Sequence, residues 1–152
     1  MPVTIEAIQA RQTELAAMIQ ALQEQANEIC TYIEIEETTI ELRAGERYAG
    51  AVLDEDGDHQ FHLVLMAQRP AAKLNWQAAM EWAQGIGGSI PTRQEQALLY
   101  ANCKPHLKPE WHWSSESYES DASFAWYCHF LNGYQGGNHK SAEGAAVAVR
   151  RV

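Results

Sequence analysis

Trp111, Trp113, Tyr118, Trp126, Tyr127 and Tyr134 crowd into the C-terminal third of the sequence, interleaved with Ser114, Ser115, Asn132, Gln135, Asn138, His139 and Lys140. Aromatic faces beside adaptable polar groups hold ligands by stacking and directional hydrogen bonds. Trp76, Trp113 and Trp126 are expected in the core, whereas Tyr134, Asn138 and His139 fall in a Gly-rich stretch expected to be a loop facing water or ligand. A second chemistry is anion capture. Thr92-Arg93-Gln94-Glu95 opens a helix, where free backbone N–H groups and an arginine would meet a negative group. Arg93, Lys140 and Arg150 are the candidate cations, and Trp111, Tyr118, Tyr134, Asn138 and His139 complete the candidate ligand site.

Residues for covalent and metal chemistry are poorly arranged. Cys128 and His129 are adjacent, and neighbours on a strand point to opposite faces. Ser114-Ser115-Glu116 lacks the G-x-S-x-G elbow. The cysteines, Cys30, Cys103 and Cys128, are odd in number and widely spaced, which favours reduced thiols over a disulfide framework. Asp54, Asp56 and Asp58 cluster, but Gly57 falls fourth where an EF-hand loop needs its glycine sixth, and Leu65 occupies the twelfth place. A hairpin turn is expected there. His59 and His62 are expected on opposite faces of a strand. No histidine lies in an H-E-x-x-H or finger spacing. The sequence assigns no catalytic residue, no metal ligand and no cofactor.

The elements that would position these groups begin with a helix over 4–30. Thr4 suits its N-cap, and no Gly or Pro follows before Gly45. Ile5, Ile19 and Ala26, with polar Gln12 in the same series, alternate with Ile8, Leu15, Leu22 and Ile29 as the a and d positions of about four heptads. So narrow a stripe fits a helix meeting another helix. Ile5, Ile8, Leu15, Ile19, Leu22 and Ile29 are the candidate oligomerisation contacts, with two or three chains both open. A boundary is expected between a helical segment, 1–31, and a domain, 32–152.

Past that boundary the apolar period changes to two. Strands are expected at 38–43, 48–53 and 61–66 as an antiparallel meander. Asn75 caps a helix starting at Trp76, whose face is Trp76, Ala79, Met80 and Ala83. Thr92 and Glu95 form a capping box for a second helix running to about Asn102, with Ala97, Leu98 and Ala101 inward. Short strands follow at 111–115, 124–130 and 146–152, separated by polar loops at 116–123 and 132–143. The expected fold class is α+β.

Trp76-Gln-Ala-Ala-Met-Glu-Trp-Ala-Gln-Gly-Ile-Gly-Gly-Ser-Ile-Pro-Thr-Arg-Gln-Glu, followed by Trp111-His-Trp-Ser-Ser-Glu, Ala125-Trp126, Asn132-Gly133 and Ala148-Val-Arg-Arg-Val, carries a resemblance. Over roughly 47–152 the sequence resembles the family of the Legionella collagen-like protein's C-terminal domain. That resemblance implies a C-type-lectin-like fold, related to the formylglycine-generating one, in a short phage or prophage protein. The lectin calcium motifs are missing, as is the second C-terminal cysteine of the formylglycine-generating enzymes.

The formal net charge of −9 argues against general nucleic-acid or anionic-membrane binding. No export signal or membrane span is expected, and the protein is placed in the host cytoplasm, with a virion location also open. The expected function is non-catalytic. An oligomer, dimeric, trimeric or higher, binds or sequesters a small, nucleotide-like ligand or a host defence protein as an intracellular anti-defence factor. A virion accessory or receptor-binding module and a structural assembly partner are the alternatives.

Overall fold

Thr4 sets the first helix: its Oγ1 accepts the Ala7 N–H at 3.2 Å, and its carbonyl accepts the Ile8 N–H at 3.1 Å. A computed structural model describes residues 2–29 and 32–152, apart from the side chains of 27–29. The helix, α1 (Ile5–Ile29), keeps its apolar stripe in water, with Ile5, Ile8, Leu15, Ile19 and Leu22 between 48% and 72% exposed. The Ile29 side chain lies outside the described residues. The chain divides into two compact units, Met1–Thr39 and Ile40–Val152, so the division falls beyond the expected 31/32 boundary.

Among the described residues the structure is α+β, with three α-helices and two antiparallel three-stranded sheets. The expected strand at 38–43 does not form. Side chains hold that segment in place of a ladder: Arg150 Nη2 donates to the Glu41 carbonyl at 2.7 Å, and Glu46 Oε1 accepts the Arg43 N–H at 2.6 Å. A turn at Ala44-Gly45, with Gly45 at φ 79°, then starts β1 (Arg47–Leu53).

β1 and β2 (His59–Leu65) form the expected hairpin, and Asp54 builds its turn. The Asp54 Oδ1 accepts the N–H groups of Asp56 and Asp58, each at 2.9 Å. The third partner is not the preceding segment but β6 (Val149–Arg151), giving the order β1-β2-β6. Two bulges interrupt the β1–β2 register. The first skips Ala49 and puts Gly50 at φ 131°, where a side chain would press on Leu98 and Asn102. The freed Ala49 carbonyl accepts Asn102 Nδ2 at 2.6 Å, which docks the strand on the helix over 93–103. The second bulge skips Gln60. It corrects the expected placement of His59 and His62, whose rings share one face, 4.4 Å apart.

α2 (Trp76–Gly85) starts as expected, with Asn75 Oδ1 accepting the Ala78 N–H at 2.9 Å, and it buries Ala79 and Ala83. Beyond it, a side chain on Gly88 would overlap the Met66 sulfur and lie 2.8 Å from the Val149 carbonyl. Glycine there lets Ser89 and Val149 exchange hydrogen bonds of 3.0 and 2.8 Å. α3 (Arg93–Cys103) has the expected capping box: Thr92 Oγ1 accepts the Glu95 N–H at 3.2 Å, and Glu95 Oε1 accepts the Thr92 N–H at 2.8 Å. Its inward face differs from expectation. Ala97 and Ala101 are exposed, while Glu95, Gln96, Leu99 and Cys103 are buried. Glu95 can face inward because Arg151 pairs with it, and Gln96 donates Nε2 to the His112 carbonyl at 3.0 Å, while its Oε1 is buried without a partner among the described residues.

The second sheet has the order β3-β4-β5, from β3 (Trp111–Ser117), β4 (Phe124–His129) and β5 (Tyr134–His139). β5 occupies the middle half of the 132–143 region expected to be a loop. Two apolar clusters unite the unit. One joins Leu99 and Cys103 of α3 to Leu63, Leu65 and Val149 of the first sheet and to Cys128 and Phe130. The other joins Ala79 and Ala83 of α2 to Met66, Ile90, Trp113 and Ala125. Each large side chain so buried contributes about 1.5–3 kcal/mol.

Candidate functional site

Strand alternation and the β4–β5 register sort the aromatic residues onto two faces. Trp126 is opposite Gly137, Phe124 opposite His139, and Cys128 opposite Gln135, so these six share the face toward α3. Tyr127, His129, Tyr134, Gly136 and Asn138 point the other way.

On the α3 side the Arg93 guanidinium lies 3.5 Å above the Trp126 ring. Two reciprocal bonds fix it: Arg93 Nε donates to Gln135 Oε1 at 3.0 Å, and Gln135 Nε2 donates to the Arg93 carbonyl at 2.8 Å. Tyr118 packs beside Trp126, with ring centroids 4.3 Å apart. Phe124 follows at 6.1 Å from Tyr118, and His139 at 4.6 Å from Phe124. The result is a continuous shelf running Arg93, Trp126, Tyr118, Phe124, His139. Both Nη groups of Arg93 lack an acceptor among the described residues.

The shelf depends on a missing side chain. A Cβ on Gly137 would run into the Tyr118 ring. Gly137→Ala is therefore expected to push Tyr118 off Trp126 and to cost about 1–3 kcal/mol, the usual range for overpacking. A thermal melt and the near-ultraviolet dichroism of the Tyr118–Trp126 pair would both report it; an unchanged dichroism spectrum would refute the packing.

Of the sequence-derived candidates, Arg93, Tyr118 and His139 meet on this shelf. Trp126, expected in the core, is half-buried and forms its floor, and Trp76 is half-buried too; Trp113 is fully buried. Trp111, Tyr134 and Asn138 belong elsewhere. Trp111 packs edge-on to Trp113 at 5.0 Å, Tyr134 stands near Tyr127 at 6.3 Å, and Asn138 Oδ1 accepts the His139 N–H. Tyr134 and Asn138 sit on a strand rather than a loop. Lys140 covers Trp76 at 4.3 Å. Arg150 lies in the other sheet, where its guanidinium is paired with Glu46 at 2.8 Å. That pair lowers the Glu46 pKa and raises that of Arg150.

The expected anion seat at the start of α3 is filled by the chain's own carboxylates. Glu95 takes the Thr92 N–H, and Glu116 Oε2 takes the Arg93 N–H at 2.7 Å. What Arg93 offers is its side chain. Sequence reasoning gives Glu116 and Gly137 no role and marks Gln135 only as one of the polar neighbours of the aromatics. The signal for one of them was the Gly136-Gly137 pair amid aromatics.

Cys128 is buried, and burial pushes its thiol up to about 11. Such a thiol is protonated and a poor nucleophile at neutral pH. His129 lies on the opposite face, with its Nδ1 accepting the Leu131 N–H at 3.2 Å. Among the described residues no group of three or more His, Cys, Asp or Glu could hold a metal ion, and no helix is long and apolar enough to cross a membrane. Compared with known proteins, the chain matches no protein-family model and no curated protein.

Proposed function

We propose that the chain is a non-catalytic, self-associating binding protein with a C-type-lectin-like head, of phage or prophage origin. It sequesters a small nucleotide-like ligand inside the host cell and so acts against defence signalling. The observation that carries the reading is Arg93, held over Trp126 by Gln135 with its Nη groups uncommitted and a row of aromatic rings beside it. A phosphate would take the fork of the guanidinium, and a base would stack along Tyr118, Phe124 and His139. Pre-positioning by Gln135 reduces the ordering cost of binding.

Self-association rests on the exposed stripe of α1. A second copy would cover Ile5, Ile8, Leu15, Ile19 and Leu22, and each covered side chain favours the pairing by about 1.5–3 kcal/mol. Several heads on one stalk gain avidity without new contacts.

Calorimetric titration with AMP tests the site. Arg93→Ala and Tyr118→Ala are each expected to weaken AMP about tenfold, the worth of one charge-assisted bond or one base stack. AMP binding that neither variant alters sinks the assignment. Light scattering tests the stalk: Leu15→Lys with Leu22→Lys is expected to bring the mass down to one chain, and a wild-type mass of a single chain at micromolar concentration removes the oligomer.

A further inference from the structure

A separate cleft of about 300 Å³ opens between residues 69–73, residues 108–110 and residues 145–146. Its walls are small: Pro70, Ala71, Ala72, Ala145 and Ala146. Its charged groups are Arg69, Lys73, Lys108 and Glu110. Three cations against one carboxylate make the cleft positive in a chain whose formal net charge is −9.

Arg69 is the unusual member. Its Nη1 donates to the carbonyls of Met66 and Gln68 at 2.6 and 2.9 Å, and its Nη2 to the His106 carbonyl at 3.3 Å. These neutral acceptors fix the guanidinium and leave its charge unbalanced. No carboxylate lies within 4.0 Å of it among the described residues. Partial burial lowers its pKa, with no neighbouring acid to offset the effect. The residue as a whole is exposed, so a guanidinium fixed by neutral carbonyls and lacking a carboxylate is open to an anion from solvent. Lys73 pairs with Glu110 at 3.5 Å and keeps half of its side chain exposed, so an anion would compete with Glu110 for it.

The scaffold around these groups is rigid. Leu74 and Gly144 exchange backbone bonds of 2.9 and 2.8 Å, and the Trp113 N–H donates to the Ala145 carbonyl at 3.0 Å. A side chain on Gly144 would collide with Trp111, so this crossing tolerates no larger residue. The wall carrying Ala145 and Ala146 is thus pinned to the strand that follows Glu110.

We propose that this cleft binds a phosphate group, with Arg69 as the fixed fork and Lys73 and Lys108 as mobile point charges. Charge selects phosphate over carboxylate. The excess of two positive charges matches a dianionic phosphate, whereas one carboxylate would leave a cation unpaired. The volume admits a small organic body on the phosphate, bounded by the alanine walls.

The test is a titration of the full chain with inorganic phosphate, glycerol phosphate and acetate, at ionic strength held constant with sodium chloride. Backbone amide shifts are followed in nitrogen-15-labelled protein. Saturable shifts at residues 69–73, 108–110 and 144–146 are expected with the phosphates, and weaker ones with acetate; shifts around Arg93 report the shelf and are fitted separately. Tighter binding of glycerol phosphate assigns a monoester, and tighter binding of inorganic phosphate assigns the free ion. Lys108→Gln is expected to weaken phosphate at these residues about tenfold and Glu110→Gln to strengthen it, with any shifts around Arg93 staying as in the wild type. The independence of the two sets separates this cleft from the aromatic shelf. Linear shifts spread over the surface, acetate binding as tightly as phosphate, or Lys108→Gln and Glu110→Gln moving affinity in the same direction would each overturn the proposal. Arg69→Gln also loosens the carbonyl clamp, so the two rim variants carry the decision.

Discussion

Arg151→Ala is expected to lower the unfolding free energy by about 3–5 kcal/mol, the range for stranding one member of a buried ion pair. Arg151 donates twice to Glu95, from Nε at 2.8 Å and from Nη2 at 2.7 Å, and its Nη1 donates to Ser89 Oγ at 2.9 Å. The two partners are unequally placed. Glu95 is 1% exposed, whereas the Arg151 side chain is 38% exposed. Removing the arginine strips its charge partner from a carboxylate that is 1% exposed, although Glu95 Oε1 keeps the Thr92 N–H. Removing the charge from the carboxylate leaves an arginine that turns into solvent. Glu95→Gln is therefore expected to cost less than Arg151→Ala, about 1–2 kcal/mol, from weakened bonds alone. Urea unfolding at neutral pH with an unchanged slope would measure both. Equal losses in the two variants would show that contact, not stranded charge, sets the cost.

That pair also shows which parts of the molecule sequence can reveal. The Thr92–Glu95 capping box and the Asn75 cap are complete within four residues, and both form as read. The β1–β2 hairpin is equally local. The inward face of α3 departs from the apolar pattern because its polar residues find partners far along the chain. Glu95 meets a residue 56 positions away, and Gln96 one 16 away. Apolar patterning favours Ala97 and Ala101 for the inside, since the pattern contains no term for a distant arginine. The third strand of the first sheet was misplaced for the same reason. The segment at 38–43 alternates well, but Arg150 takes the Glu41 carbonyl and Glu46 the Arg43 N–H, backbone groups that a ladder would use.

The candidate site was legible as a composition and not as an arrangement. Arg93, Tyr118 and His139 lie together because β5 brings Gly137 under Tyr118 and Gln135 against Arg93. A run of Tyr-Gln-Gly-Gly-Asn-His has weak strand propensity, so loop was the natural reading. Its strand state follows from pairing with β4, and its glycines are what the flanking rings require. The second bulge of β1–β2 acted likewise on His59 and His62. One skipped residue, Gln60, reverses the alternation on which their separation was argued.

Acid is expected to weaken the fold in a window set by His112. Its ring is 2% exposed and packs against Phe130 at 4.7 Å, and burial is the main reason its pKa is lowered to about 4 from the ordinary 6.5. The Glu110 carbonyl, 2.9 Å from Nδ1, opposes that shift, as does the Glu110 charge; Arg69 and His129 add to it. A carbonyl can only accept, so Nδ1 holds the proton of the neutral ring, and acid must protonate Nε2 in the interior. The unfolded chain binds that proton near pH 6.5, while the native state resists it. The stability that His112 confers is therefore complete above pH 6.5 and is lost as pH falls toward 4. The full loss is about 3 kcal/mol, at roughly 1.4 kcal/mol per pKa unit. Glu46, whose pKa is lowered by Arg150, adds its own loss only below its ordinary value of 4.5, so the upper part of the window isolates the histidine. His112→Asn keeps a donor for the Glu110 carbonyl and cannot titrate. Its stability at pH 7 will be lower because it leaves a cavity, but its urea midpoint should change far less between pH 6.5 and 5 than that of the wild type. Parallel slopes for the two proteins over that interval would show that His112 does not carry the acid sensitivity.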